Sequence, residues 1–84
     1  MRKITVVITC FNNETEFLEC EYVVPVGIDI ILEKYKLKGT DGELFICEGS
    51  IPITSEDDVL FYRKFLDIDF DMNKYSYFIE CKVS

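Results

Sequence analysis

LDIDFDMNKYSYFIECKV, from Leu66 to Val83, alternates almost without a break. Leu66, Ile68, Phe70 and Met72 take one parity, and Asp67, Asp69 and Asp71 take the other. Beyond Asn73-Lys74 the pattern resumes, with Tyr75, Tyr77, Ile79, Cys81 and Val83 against Ser76, Phe78, Glu80 and Lys82. Two runs of period two joined by two residues predict a β-hairpin, and Asn73 accepts the positive φ of a primed turn. A two-residue turn pairs Met72 with Tyr75, Phe70 with Tyr77, Ile68 with Ile79 and Leu66 with Cys81, all on one buried face. The opposite face pairs Asp71 with Ser76, Asp69 with Phe78 and Asp67 with Glu80. That leaves a row of carboxylates around one aromatic ring facing water.

The remainder of the chain suits a small sheet-based core. It has 84 residues, 49% of them apolar, with seven Phe and five Tyr, which fits one domain spanning 1–84. No apolar run approaches the ~18 residues of a membrane span. MRKITVVITCFNN starts like a signal peptide, but its apolar run is short and interrupted by polar positions, so it reads as the first strand of a cytoplasmic protein. The net charge is −7 and histidine is missing. That balance speaks against direct binding of a phosphate backbone, which needs Lys and Arg, and favours a basic partner. Cys10, Cys20, Cys47 and Cys81 contain no C-x-x-C pair. They read as four free structural thiols, with neither zinc nor a disulfide framework.

Taken in order, Ile4, Val6, Ile8 and Cys10 alternate with Thr5, Val7, Thr9 and Phe11, a strand over 3–11. Asn12-Asn13-Glu14 is a turn. A second strand over 15–24 places Leu18, Cys20, Tyr22 and Val24 on one side and Phe17, Glu19 and Glu21 on the other. Parity favours a three-residue loop pairing Ile8 with Leu18, Val6 with Cys20 and Ile4 with Tyr22, which keeps Cys10 far from Cys20. Ile28, Ile31, Leu32 and Tyr35 form one stripe of a short helix over 28–37, with Gly39 as its stop. ELFICE, 43–48, reads as a strand buried on both faces, and Pro52 bars a central-strand position. Ser55-Glu56-Asp57-Asp58 is a helix start with a hydroxyl cap and first-turn acids. VLFYRKFL, which follows, suits a strand as well, so 56–65 stays open between the two. The expected class is α+β: an antiparallel sheet of four to five strands with one or two short helices, in the order β-β-α-β-(α)-β-β.

Motifs for chemistry are scarce. No histidine serves as base or ligand, no glycine-rich phosphate loop is present, and no serine has an evident base. Asp67-x-Asp69-x-Asp71 starts like a calcium loop, but Met72 and Phe78 stand where such a loop needs glycine and glutamate. The expectation is a protein that is not an enzyme, with no catalytic residue, no metal and no cofactor.

Three stretches together resemble the cloacin-type colicin immunity proteins, small acidic cytosolic inhibitors of ribosomal-RNA-cleaving bacteriocins. FNNETEFLECEY, Phe11 to Tyr22, is similar to that family's Phe-Asp turn, Thr-Glu-Asp-Phe segment and Glu-Glu-Tyr strand. The helix over 28–37 falls where the family has its own. IDFDMNKYSYFIECKV, Ile68 to Val83, is similar to its closing hairpin. The middle departs: the family has a tryptophan-containing strand there, whereas this chain has Pro52, the SEDD run and no tryptophan. The resemblance implies a bacterial immunity-type protein that neutralises a basic nuclease toxin.

The residues themselves agree. Carboxylates two apart on a strand lie about 7 Å from one another, comparable to phosphate spacing. The partner-binding set read from the sequence is Asp67, Asp69, Asp71, Phe78 and Glu80, with Glu19 and Glu21 extending it. One alternative uses the same acidic face, a phage-encoded anti-defence inhibitor that mimics nucleic acid; another, suggested by an opening β-hairpin followed by a helix, is a ubiquitin-like β-grasp interaction module.

Overall fold

The two most regularly alternating segments, β1 (Ile4–Asn12) and β4 (Tyr75–Val83), form the centre of a four-stranded antiparallel sheet. In this computed structural model residues 4–38, 42, 46 and 49–83 are described. β2 (Leu18–Val23) flanks β1 and β3 (Ile51–Ile53) flanks β4, giving the order β2-β1-β4-β3. Among the described residues two helices have defined bounds, α1 (Ile28–Lys34) and α2 (Glu56–Arg63), and with the sheet they make an α+β fold of the expected class. Pro52 sits on the short edge strand, where its missing N–H costs no central ladder bond.

Strict alternation of β1 and β4 puts Val6, Ile8, Cys10, Tyr77 and Ile79 on one buried face. Val24, Ile31, Ile46, Ile53, Tyr62 and Ile68 close over them to form the core. Ile46 is helical, as is Gly42. The strand expected over 43–48 otherwise lies outside the described residues, and at Ile46 the backbone is not extended.

The closing hairpin does not form. β4 pairs with β1 from Ile4↔Val83 to Asn12↔Tyr75 and with β3 from Ile51↔Ile79 to Ile53↔Tyr77, and Leu66 to Met72 joins no ladder. Two physical reasons favour this outcome. The predicted hairpin would set Asp67 directly opposite Glu80, and like charges so placed are destabilising. β1 also offers a longer apolar partner than a run with Asp at every second position. Asp71 turns the chain instead: its Oδ1 accepts from the Asn73 and Lys74 amides, both at 3.2 Å, and its carbonyl accepts from the Tyr75 amide at 2.9 Å. The alternation of Leu66 to Phe70 still serves burial, because this irregular segment crosses the core face. Ile68 is buried there, and the Phe70 ring lies edge-on to Tyr77 with centroids 4.7 Å apart.

The β1–β2 register also differs from expectation. Ile8 faces Tyr22, Cys10 faces Cys20 and Phe11 faces Leu18, with the shift between Cys10 and Phe11 leaving Glu19 as the extra residue of a bulge. The connection is wider than three residues because Asn12 organises it. Its Oδ1 accepts from the Glu14 and Thr15 amides, its carbonyl accepts from the Glu16 amide, and Glu16 takes a left-handed backbone, φ 65°. The bulge restores parity, so Cys20 and Tyr22 keep the core face while Leu18 is turned to the other. Cys10 and Cys20 are free, facing one another across the ladder. Cys81 is disulfide-bonded, which corrects the expectation of four free thiols; Cys47 lies outside the described residues.

α1 ends earlier than Gly39. The Leu37 amide donates to Leu32 at 2.8 Å and the Lys36 amide to Glu33 at 3.1 Å, with Lys36 at φ 57°. This is a Schellman ending with lysine in the left-handed position that glycine favours. Lys36→Gly is expected to raise stability by about 0.5–1 kcal/mol, since a side chain there costs roughly 1 kcal/mol. A thermal melt showing no gain would refute the strain.

Residues 56–65 resolve as helix followed by a turn. Ser55 Oγ accepts from the Asp58 amide at 3.1 Å, with Glu56, Asp57 and Asp58 in the first turn. A polar seam joins the helices: Lys34 Nζ meets Asp58 Oδ1 at 2.5 Å, and the Tyr35 and Tyr62 hydroxyls share a hydrogen bond of 2.8 Å. Burial first, and that hydrogen bond second, push the Tyr62 hydroxyl pKa far up, so it stays neutral. Among the described residues no helix is long and apolar enough to cross a membrane.

Candidate protein-binding face

The side of the sheet away from the helices carries the second parity of every strand. β1 contributes Thr5, Val7, Thr9 and Phe11; β4 contributes Ser76, Phe78, Glu80 and Lys82; β2 contributes Glu21 and Val23. The bulge adds Leu18 opposite Phe11. Among the described residues no helix covers this face.

Its centre is ordered by interactions between neighbouring strands. Phe11 and Phe78 meet edge to face with centroids 5.7 Å apart, the geometry that ring quadrupoles favour. Thr9 Oγ1 donates to Glu80 Oε2 at 2.6 Å, which orients that carboxylate. Lys82 and Glu21 form an ion pair. Glu21 lies opposite Thr9 and Lys82 opposite Thr5, so the pair spans β1 above Val7. Val7, on the open face, is only 1% exposed. Along β2 the face carries exposed apolar residues, Leu18 at 52% and Val23 at 60%, and Phe17, just before the strand, is 74% exposed.

At the turn end, between the β1–β2 connection and β4, lies a hollow of about 430 Å³. Phe11 and Phe78 line it together with Asn13, Ser76, Glu16 and Glu80. Ser76 Oγ donates to Asn13 Oδ1, and the Asn13 amide donates to the Lys74 carbonyl at 2.9 Å. These bonds tie the wall of the hollow to both central strands.

The structure divides the residues read from the sequence. Phe78, Glu80 and Glu21 stand together on the open face. Glu19 sits at the bulge, where Asn12 Nδ2 donates to its Oε1 at 3.4 Å. Asp67, Asp69 and Asp71 are exposed, but on the segment that crosses the helix side of the sheet, and Asp71 is occupied in its turn. The continuous acidic row therefore does not exist. The sequence reading missed Phe11, Thr9, Leu18 and Val23 as members of the face. Phe11 and Thr9 share a parity in β1 that signalled it; Leu18 carried no such signal, because its direction depends on the bulge.

Burial raises the Cys10 thiol pKa, with neighbouring Cys20 adding to the shift, which suppresses the reactive thiolate. A hydrogen bond with Cys20 and burial push the Tyr22 hydroxyl up to about 12. Among the described residues no three His, Cys, Asp or Glu side chains are gathered to hold a metal ion.

Residues 5–80 match a family described as a domain of unknown function, DUF7683. The chain belongs to that family. The matched span runs from β1 into β4 and includes the whole of the Phe11–Phe78–Glu80 hollow. No curated protein matches the chain.

Proposed function

We propose that this protein binds and neutralises a basic nuclease, of the ribonuclease-toxin kind, through the open face of its sheet. The observation that carries the reading is the joining of Phe78, Glu80 and Glu21 on one rigid ladder, with exposed apolar residues beside them. A nuclease must present cations to hold a phosphate backbone, and a chain of net charge −7 is drawn to such a surface. Charge speeds encounter, whereas tight binding needs a desolvated anchor, often aromatic. The face offers both. Nucleic-acid mimicry is less well supported, because it needs a linear array of carboxylates and Asp67, Asp69 and Asp71 lie on the other side of the sheet.

The test is titration of the purified chain against the nuclease encoded beside its gene, with RNA cleavage as readout. Cleavage should fall to background at one equivalent, and the association rate should drop about tenfold or more as salt rises from low to physiological. Undiminished cleavage with the chain in excess would refute the reading.

A further inference from the structure

We propose that the hollow between the β1–β2 connection and β4 is a receptor for one arginine side chain, presented by the basic partner. This deepens the function proposed above and rests on it for the source of the arginine.

The lining is selective in its chemistry. Two carboxylates, Glu16 and Glu80, face two aromatic rings, and among the described residues no lysine or arginine lines the hollow. Charge alone would be a weak argument, since acidic surfaces are common on soluble proteins. Three further features distinguish this site. Its floor is the Phe11–Phe78 pair, and aromatic faces attract cations. Its carboxylate is oriented in advance: Thr9 holds Oε2 of Glu80, while Oε1 has no partner among the described residues. Its wall is fixed by the Ser76–Asn13 bond, so little ordering remains to be done on binding. Ser76 Oγ, whose proton goes to Asn13, and the remaining lone pair of Asn13 Oδ1 add neutral acceptors at the rim.

Arginine fits this set better than lysine. The guanidinium is planar, stacks on aromatic rings and is weakly hydrated, with five donors to distribute over Glu80 and the neutral acceptors. An ammonium is a strongly hydrated point charge that a half-open aromatic hollow desolvates at a loss. At about 430 Å³ the space is near the lower limit for ligand pockets, suited to a side-chain head and not to a larger cofactor.

The experiment uses the full chain, labelled with ¹⁵N, and three probes: the Nα-acetyl amides of arginine, lysine and citrulline. Citrulline keeps the length and plane of arginine without its charge. The arginine probe should shift the amides of Phe11, Ser76, Phe78 and Glu80 saturably at tens of millimolar, lysine should bind at least ~5-fold more weakly, and citrulline should leave the spectrum unmoved. Glu80→Gln keeps the acceptor for Thr9 and should weaken the arginine probe ~10-fold, about 1.4 kcal/mol. Equal shifts from citrulline, or no saturable shift from arginine, would overturn the receptor whether or not the chain inhibits a nuclease. Arginine binding here, together with failure to inhibit any basic nuclease, would sink the function proposed above and leave the receptor standing.

Discussion

Ile79→Ala should destabilise the domain by about 3 kcal/mol, lowering its melting temperature by roughly 12–24 °C. Ile79 is fully buried in β4 between Ile8 of β1 and Ile51 of β3. Truncation there removes apolar burial and leaves a cavity flanked on both sides by paired strands, which cannot collapse into it. A domain of this size has a total stability of order 5–10 kcal/mol, so the loss is a large fraction of it. Val83→Ala, at the exposed end of the same strand, should change stability by no more than about 0.5 kcal/mol. Chemical denaturation of both variants checks the pair. A loss below about 1 kcal/mol at Ile79 would mean that β4 is not the central strand.

Phe78→Ala should weaken binding of the basic partner by ~2 kcal/mol, about 30-fold in Kd, chiefly through faster dissociation. It should also cost about 1 kcal/mol of stability, because Phe78 is half-buried and forms one side of the Phe11 ring pair. Melts of the free variant separate that cost from the binding loss. Asp69→Lys should behave differently. Asp69 is exposed on the helix side, so its reversal acts only through the long-range field, slowing association modestly and leaving dissociation unchanged. Surface-binding kinetics at two salt concentrations distinguish the two effects. If Asp69→Lys speeds dissociation more than Phe78→Ala does, the partner docks on the helix side and the open face is not the site.

The difference between those two variants shows where one-dimensional pattern stops being informative. Parity in β1 and β4 was legible residue by residue, because a side-chain period of two permits only two assignments and burial selects one. The same reading placed Phe78 and Glu80 outward, and they are on the open face. It also placed Asp67, Asp69 and Asp71 on an outer side, and they are exposed. What it could not supply was that these outer sides belong to opposite surfaces. Alternation records that a segment has an inside and an outside; it does not record which layer of the fold the segment joins. Leu66 to Phe70 alternates because it lies across the core, a duty that gives the same pattern as a strand.

The amino-acid sequence by itself determined the class of the protein: the strands over β1 and β4, a hydroxyl cap with first-turn acids at Ser55, a short helix from Ile28, a non-central position for Pro52 and a strongly acidic balance. These follow from local rules, namely period, cap chemistry and the missing proline N–H. Only the tertiary structure decided the partner of β4, the direction of Leu18, the meeting of Cys10 with Cys20 and the hollow lined by Phe11 and Phe78. Each of these depends on competition between alternative pairings and registers. Asp67 opposite Glu80 would have repelled, β1 offered a longer apolar ladder, and one extra residue at Glu19 turned the end of β2 over. Differences of a few kcal/mol between alternative pairings settle such choices, and for β4 they reside in contacts with β1, more than sixty positions away.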